Sequence, residues 1–349
     1  MFRVRVNNQD LPEYVTCTVI YGVESLARNF ELTTRIDSGG IPFKRGDDVV
    51  IYLGNDIVLE GYVAIIDGTN LPGERGVTYT GYSYTMKLLK GSAVYKTGTW
   101  KNVPASRVFE DVCDTVGVGV KIDSELTALL SEPVTWKIDS GETCFDCLEK
   151  LAKYRAVFLT SDAGRNLIVT RASTVPLNRT VIETGGVALG CKYRDSIEDR
   201  FSHYVVKSQD RAPVLTSLDD TEIKRQATVD DDAMPFFLPH VVHVDSGQGS
   251  LSDRAEWEMR TRAGRSERIV YQVNRFVDDS GAPWPIAQNY QLRDELLRVD
   301  TVAMLINVRM ESSESSVNVS LEFGNAEAFD VVKIRPRRKN RAGSILRWG

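Results

Sequence analysis

Apolar and polar positions alternate through the first ninety residues. Val15, Cys17, Val19 and Tyr21 fall on one side of an extended chain, and Phe30, Leu32 and Thr34 repeat the pattern. Further period-two runs at 49–53, 61–66 and 77–84 are each bounded by Gly, Asp, Asn or Pro. The opening Met1-Phe2-Arg3-Val4-Arg5-Val6 also alternates and runs into Asn7-Asn8, which predicts a strand start and not a secretory signal. Short strands with turns this closely spaced predict a small antiparallel barrel or sandwich.

The period changes after Lys101. Pro104 suits a helix N-terminus, where its missing N–H costs nothing. Ala105, Val108, Phe109, Val112, Cys113 and Val116 then share one helical face, and Gly117 stops the run. Residues 134–138 read as a strand. Residues 142–155 read as a second amphipathic helix, with Cys144, Cys147, Leu148, Leu151 and Ala152 inward. A hairpin follows, strands at 156–160 and 167–170 about a turn at Asp162-Ala163-Gly164.

Strand character returns at Val181. Residues 201–207 form one strand, 208–232 a long polar loop, and Ser250 caps a helix running to Arg262 with Asp253 in its first turn. Ile269, Tyr271 and Val273 alternate in the strand after it. The stretch 43–84 has an echo in 285–323. Val49 to Val63 spans the same interval as Leu292 to Ile306, and Val77-Thr78-Tyr79 matches Val317-Asn318-Val319 in alternation. The predicted fold class is mainly β with α+β: two similar antiparallel β-barrel domains plus a small mixed α/β domain. The first barrel spans 1–92 and the mixed domain 93–176. The second barrel spans 177–330, interrupted by a loop and helix insertion at 208–264, and 331–349 is a basic tail.

Composition adds constraints. Of 349 residues, 42% are apolar and 26% charged, which excludes collagen, wholesale disorder and a small disulfide scaffold. The uncharged run 233–244 contains Pro235, Pro239 and two histidines and is too short for a span of about 20 residues, so no membrane insertion is expected. The net charge of −5 is unevenly spread. Lys333, Arg335, Arg337, Arg338, Lys339, Arg341 and Arg347 carry the C-terminus with no acid among them, leaving an acidic body. Such a tail is a docking terminus for nucleic acid or an acidic partner, or a solvated end. Five cysteines, an odd number, argue for reduced thiols.

Candidate chemistry is sparse. Cys144-Phe145-Asp146-Cys147 has dithiol spacing at a helix start, but the apolar face it shares with Leu148 and Leu151 makes both thiols core residues. His240 and His243 stand in an extended segment, where residues three apart face opposite ways, so they are ordinary partly buried histidines. Asp219-Asp220 and Asp230-Asp231-Asp232 lack the glycine turn and terminal Glu of an EF-hand and read as a solvated acidic loop. Trp257, between Glu256 and Glu258, reads as a helix with one aromatic anchor. Neither a P-loop nor a Gly-x-Ser-x-Gly elbow occurs. No catalytic residue, metal site, cofactor or small-molecule substrate is predicted.

Several strings together resemble the baseplate hub family of Mu-like contractile-tailed phages, within the wider late-control-protein group. They are more distantly similar to the N-terminal part of type VI secretion spike proteins. The strings are 22–32 (GVESLARNFEL), Trp100-Lys101-Asn102 before a helix, Ser140-Gly141-Glu142-Thr143 before the next, 199–207 (DRFSHYVVK) and 257–265 (WEMRTRAGR), leading into the strand that ends at Val273. The resemblance runs from about Phe2 to Phe329. It implies a homotrimer with two barrels per chain, an adaptor that joins a sixfold tail tube to a threefold central spike. It also implies contacts with other baseplate proteins and a place in the virion tail baseplate, assembled in the host bacterial cytoplasm. The mechanism is then mechanical. Two other classes compete. A tail-associated cell-wall hydrolase lacks any acid–base or nucleophile constellation in this sequence. A nucleic-acid-binding barrel has the basic tail but no interleaved aromatics, with Trp348 alone at the end.

Overall fold

The computed structural model describes residues 1–35, 42–72, 74–155, 157–171, 177–209, 224–245 and 251–329. The N-terminal β module has seven strands: β1 (Phe2–Val6), β2 (Gln9–Asp10), β3 (Thr16–Gly22), β4 (Asn29–Thr34), β5 (Asp48–Leu53), β6 (Asp56–Leu71) and β7 (Glu74–Ser83). Their order across the sheet is β3-β4-β7-β6-β5-β1-β2, with every neighbouring pair antiparallel. Turn chemistry sets the reversals. Asn7 and Asn8 both take positive φ, 48° and 65°, the conformation a two-residue hairpin turn demands and asparagine tolerates. Gly54, φ 61°, opens the two-residue turn between β5 and β6.

The chain then builds a separate mixed unit. It contains α1 (Met86–Lys90), β8 (Thr99–Pro104), α2 (Ala105–Thr115), β9 (Gly119–Ile122), α3 (Thr127–Ser131), β10 (Pro133–Lys137), α4 (Cys144–Arg155), β11 (Phe158–Ser161) and β12 (Asn166–Thr170). β12 pairs antiparallel with β11 and parallel with β9. The predicted face of α2 is buried from Ala105 to Cys113, and Gly117 beyond it has φ 72°. Thr143 starts α4 with a reciprocal cap. Its hydroxyl accepts the Asp146 N–H at 3.1 Å, and the Asp146 carboxylate accepts the Thr143 N–H at 3.1 Å. The unit has its own core, with Leu88, Trp100, Phe109, Leu148, Leu151 and Leu167 fully buried.

The C-terminal part comprises β13 (Leu177–Glu183), β14 (Ala188–Asp195), β15 (His203–Gln209), β16 (Lys224–Asp230), β17 (Pro239–Asp245), α5 (Leu251–Ser266), β18 (Glu267–Val273), β19 (Asn289–Asp294), β20 (Val299–Ser313) and β21 (Val317–Gly324). β15 pairs antiparallel with β16 and parallel with β17 in a small sheet covered by α5. Part of the expected polar loop is therefore a strand. Residues 224–230 pair with β15, setting Val229 opposite Tyr204 and Ala227 opposite Val206. Two small apolar residues among charges make too short a stripe to stand out. The helix extends to Ser266, past the expected Arg262, and Ser250 lies outside the described residues.

The other strands form a second β module in the order β14-β18-β21-β20-β19-β13. This repeats the order β3-β4-β7-β6-β5-β1 of the first. The middle strand of each is long and bulged at a corresponding point, between Val63 and Ile65 in β6 and between Leu305 and Asn307 in β20. The echo seen in the sequence is thus a real duplication, but its alignment needs correction. Pairing makes Ile51, not Val49, the counterpart of Leu292, and Val319, not Val317, the counterpart of Val77. Turns of different length cause the error. Leu53 pairs with Asp56 across two residues, whereas Asp294 pairs with Val299 across four. One edge also differs, because β1 lies antiparallel to β5 and β13 parallel to β19.

The mainly β class holds, but the two modules share one 13-stranded sheet, and no pairing among the described residues closes either into a barrel. The edge of β20 beyond β19 pairs with β3 of the first module, from Asn307 opposite Gly22 to Ser313 opposite Thr16. One apolar core runs through both modules. The Phe2 and Phe276 rings lie 4.7 Å apart. Tyr21 donates its hydroxyl to the Trp284 carbonyl at 2.7 Å, and Tyr14 meets the Ser312 hydroxyl at 3.1 Å. Both bonds satisfy buried polar groups across the joint.

Candidate assembly surface

The joint between modules shows how this fold adds a neighbour. β20 has two edges. One carries β21, and the other carries β19 up to the bulge and β3 after it. The contact is close: a Cβ on Gly22 would come within 2.7 Å of the Ile306 carbonyl oxygen, which accepts the Val23 N–H at 2.8 Å. Salt bridges brace the same corner. Arg268 reaches Glu24 at 3.4 Å and Glu322 at 3.5 Å, and Arg265 reaches Glu24 at 3.3 Å.

β6 is built like β20, with β7 along one edge and β5 along the first half of the other. After its bulge, residues 65–71 have no backbone partner on that second edge among the described residues. β14 closes the opposite end of the sheet order, and its outer edge over residues 190–195 is likewise unpaired among the described residues. Exposed apolar side chains sit on both stretches: Ile65 (45%) and Leu71 (58%) on the first and Tyr193 (44%) on the second. Edge strands that must stay solitary are normally short, charged or covered; residues 65–71 carry a single charge, Asp67, whereas 190–195 carry three, Lys192, Arg194 and Asp195.

Beside β14, α5 and β18 frame a cavity of about 460 Å³ lined by Arg194, Arg254, Arg262, Arg265 and Arg268 around Trp257. The buried charged group on α5 is Glu258, and Trp257 is half-buried. Arg254 donates to it at 2.6 Å, and Arg262 stands 3.5 Å away on the other side. Arginines one turn away on either side make this burial tolerable, which a sequence scan for apolar anchors misses.

The small sheet hides two more of the polar candidates. Asp231 is buried, and Arg200 donates to it bidentately at 2.6 and 2.9 Å. This pairing holds the Asp231 carboxyl below the usual carboxylate range. The expected solvated cluster therefore splits, because Asp230 is exposed beside His203 at 2.5 Å while Asp231 faces inward. Asp219 and Asp220 lie outside the described residues. His240 is half-buried against Phe201, ring centroids 4.4 Å apart, and its Nε2 accepts from Arg262 at 3.3 Å. Burial, with the Arg262 guanidinium second, lowers its pKa. His243 is exposed, so the pair is separated as expected of an extended strand. Among the described residues no group of His, Cys, Asp and Glu gathers at a metal-holding distance.

Both cysteines of the C-x-x-C are buried, and burial raises both thiols, Cys147 to about 12. That is the opposite of an activated dithiol. The basic residues predicted for docking, Lys333, Arg335, Arg337, Arg338, Lys339, Arg341 and Arg347, lie outside the described residues. The features sequence reasoning missed are the free strand edges. Their signal is present in the alternation of 61–66 and of Cys191 and Tyr193, but an unpaired edge shows only once partners are assigned.

The chain is a duplicated β module around a small α/β unit, with open strand edges among the described residues. Residues 85–171 match the family described as "Baseplate hub protein gp44-like, second domain". Over its length the chain is similar to the baseplate hub protein gp44 of Escherichia phage Mu, 25% identical across 99% of this chain and 93% of that protein. The fold is shared with the 43 kDa tail protein of prophage MuSo2 from Shewanella oneidensis, at a TM-score of 0.81 and 20% identity, covering 94% of this chain and 99% of that one. It is shared more loosely with an E. coli component of the type VI secretion system, at a TM-score of 0.55 and 8% identity, covering 95% of this chain and 80% of that one. The resemblance read from the sequence therefore holds along the chain, and the role it carries is structural, that of a baseplate hub protein. The phage and prophage relatives named are structural tail proteins and not enzymes. No helix among the described residues is long and apolar enough to cross a membrane.

Proposed function

We propose that this hub protein works as a homotrimeric adaptor between a sixfold tail tube and a threefold central spike. The observation that carries the proposal is the repeated strand order within one chain. Three copies supply six alike modules, and the features that differ between modules recur three times. Tube-facing contacts can then follow the sixfold pattern and spike-facing contacts the threefold one. In this reading 1–92 and 177–330 are the ring-forming modules, 93–176 braces them, and 208–264 is an insertion found in one module of each pair. The basic residues from Lys333 to Arg347 dock on an acidic tube, spike or other baseplate partner. Buried thiols without disulfides are consistent with assembly in the host bacterial cytoplasm.

The decisive measurement is the solution mass of the purified full chain, followed by negative-stain symmetry. A trimer with a six-lobed ring is expected. A chain that stays monomeric both alone and with tube and spike partners would overturn the adaptor. Removing residues 333–349 should weaken incorporation into tails while leaving the trimer intact, and unchanged incorporation would remove the docking role of the tail.

A further inference from the structure

We infer that the groove along α5 binds an acidic–apolar segment of a partner tail protein, its carboxylates among the arginines and its apolar side chains beyond Trp257. This goes beyond the trimeric adaptor, because every residue of the groove belongs to one copy. The cavity of about 460 Å³ beside β18 and a second of about 270 Å³ share Trp257, Thr261 and Arg265, and so adjoin across the indole. The two ends differ in chemistry. Arg194, Arg254, Arg262, Arg265 and Arg268 line the first, against Asp199 and Glu258. Val23, Leu26, Phe145, Val157 and Phe158 wall the second. The charges at that apolar end are already paired, Lys153 with Glu149 at 2.8 Å and Arg265 with Glu24 at 3.3 Å.

The arginine end is short of acceptors. Glu258 is shared by Arg254 and Arg262, at 2.6 and 3.5 Å, and Glu24 by Arg265 and Arg268. Arg194 meets the exposed Glu198 at 3.2 Å. Three buried nitrogens on this lining, Nε of Arg254, Nε of Arg262 and Nη1 of Arg268, have no hydrogen-bond acceptor among the described residues. The arginines are thus held below their bonding capacity, and a guanidinium offers its donors as a planar fork that a carboxylate fits with two parallel bonds. A peptide suits this groove better than a nucleic acid. Glu24, Glu198 and Asp199 flank the arginines and repel an extended polyanion, and the apolar end offers a phosphate backbone nothing. The chain's own continuation beyond Ala328, which lines the apolar end, carries only basic charges from Lys333 onward, the wrong sign for the arginines. Clustered arginines that read an acidic motif are a recurring mode of peptide recognition.

The test titrates a fluorescein-labelled synthetic peptide, an acidic half Glu-Asp-Glu followed by an apolar half Leu-Phe-Leu, with the full-length protein and reads anisotropy. Saturable binding is expected, weakened about tenfold by Arg194→Glu and by Arg265→Glu, since each removes a charge-assisted contact. Both side chains are largely exposed in the single chain, so folding is spared. Arg107→Glu, equally exposed on α2 and outside the groove, should leave binding unchanged. Replacing the apolar half of the peptide by serine, or the acidic half by lysine, should weaken it as well. No binding, equal binding of the lysine peptide, or equal loss in Arg107→Glu overturns the inference, and so does displacement of the peptide by single-stranded DNA, which would make the site one for phosphates. In a second arm, p-benzoylphenylalanine in place of Phe145 is cross-linked by light in assembling tails. A cross-link to an acidic–apolar segment of another tail protein supports the inference, whereas one to the chain's own residues 330–349 or to a second copy overturns it. Mass in solution is read on the same samples. A monomer that binds the peptide leaves this inference standing while the adaptor falls, and a trimer that does not bind it reverses the two.

Discussion

The two β modules of this chain share a strand order and differ in what their edges do. In the C-terminal module the exposed half of the long central strand is covered by β3, in the same chain. In the N-terminal module the matching half, residues 65–71, is bare among the described residues. The hairpin tips differ as well. The N-terminal module turns tightly through Gly54 and Asn55, whereas the C-terminal module turns through four residues with Leu296 and Leu297 exposed. The C-terminal module alone carries the β15–β16–β17 sheet and α5. A duplicated fold thus keeps its scaffold while one copy acquires an added sheet and helix. In the adaptor proposed above, the shared scaffold would serve the sixfold contact and the differences the threefold one.

The comparison is most sharply tested in the shared core. Phe30 in β4 and Phe323 in β21 are both fully buried in the cluster that spans the modules. Cutting either to alanine removes a large ring and leaves a cavity, at a cost of about 3–5 kcal/mol. Because the core is continuous, both variants should lower the same denaturation transition. Leu148→Ala, in the separate α/β core, should lower another. Urea unfolding followed by fluorescence decides this. Two distinct β transitions, one sensitive to each phenylalanine, would mean that the modules fold independently.

Next in size is the buried ion pair of the small sheet, which the N-terminal module lacks. Asp231→Ala leaves Arg200 without its bidentate partner and should cost about 3 kcal/mol. The pH dependence has two windows. Asp231 is depressed in the folded chain, so its contribution is whole above pH ~4 and is lost as pH falls through the folded value. His240 is also depressed, which leaves the unfolded chain binding the proton first. Stability is unaffected above pH ~6.5 and declines on acidification below it. Asp231→Asn should flatten the lower window and His240→Gln the upper one, as read from urea midpoints against pH. A wild-type profile flat from pH 7 to 5 would contradict the assignment to His240.

Much of this architecture was readable from alternation alone. The strands of the N-terminal module, the apolar face of α2, the stop at Gly117 and the thiols of α4 all follow from local periodicity and turn chemistry. What escaped depends on partners far along the chain. Glu258 is buried because α5 brings its own arginines, Asp231 because Arg200 lies across a turn of the small sheet, and β16 is a strand because β15 offers it an edge. The open edges escaped for the same reason, since an edge is defined by who is absent beside it. The echo was legible as a rhythm but misaligned, because turn length, unlike strand period, is not conserved between the modules.

A smaller effect belongs to the joint itself. Gly22→Ala would push a methyl toward the Ile306 carbonyl oxygen, 2.7 Å from an ideal Cβ, and the backbone there cannot swing aside as a flexible side chain would. The expected cost is about 1–3 kcal/mol of overpacking, with faster hydrogen exchange confined to the β3–β20 pairs. Exchange that quickens evenly across both modules would show the joint to be no separate element.

The smallest effect lies outside both modules and serves as the control on the comparison. Thr143 caps α4 through the reciprocal bonds with Asp146, and these bonds also help to hold the Asp146 carboxyl below its usual range. Thr143→Ala removes the hydroxyl and exposes the first turn to fraying, at about 1 kcal/mol. The loss should fall on the α/β unit, whose core packs α4 through Leu148 and Leu151. The mass in solution and the β transition should then stay where they are, because no residue of α4 takes part in either free edge. If the cap variant instead lowered the β transition by the same amount, the α/β unit and the sheet would be one cooperative body. The differences between the modules would then have to be explained within a single folding unit.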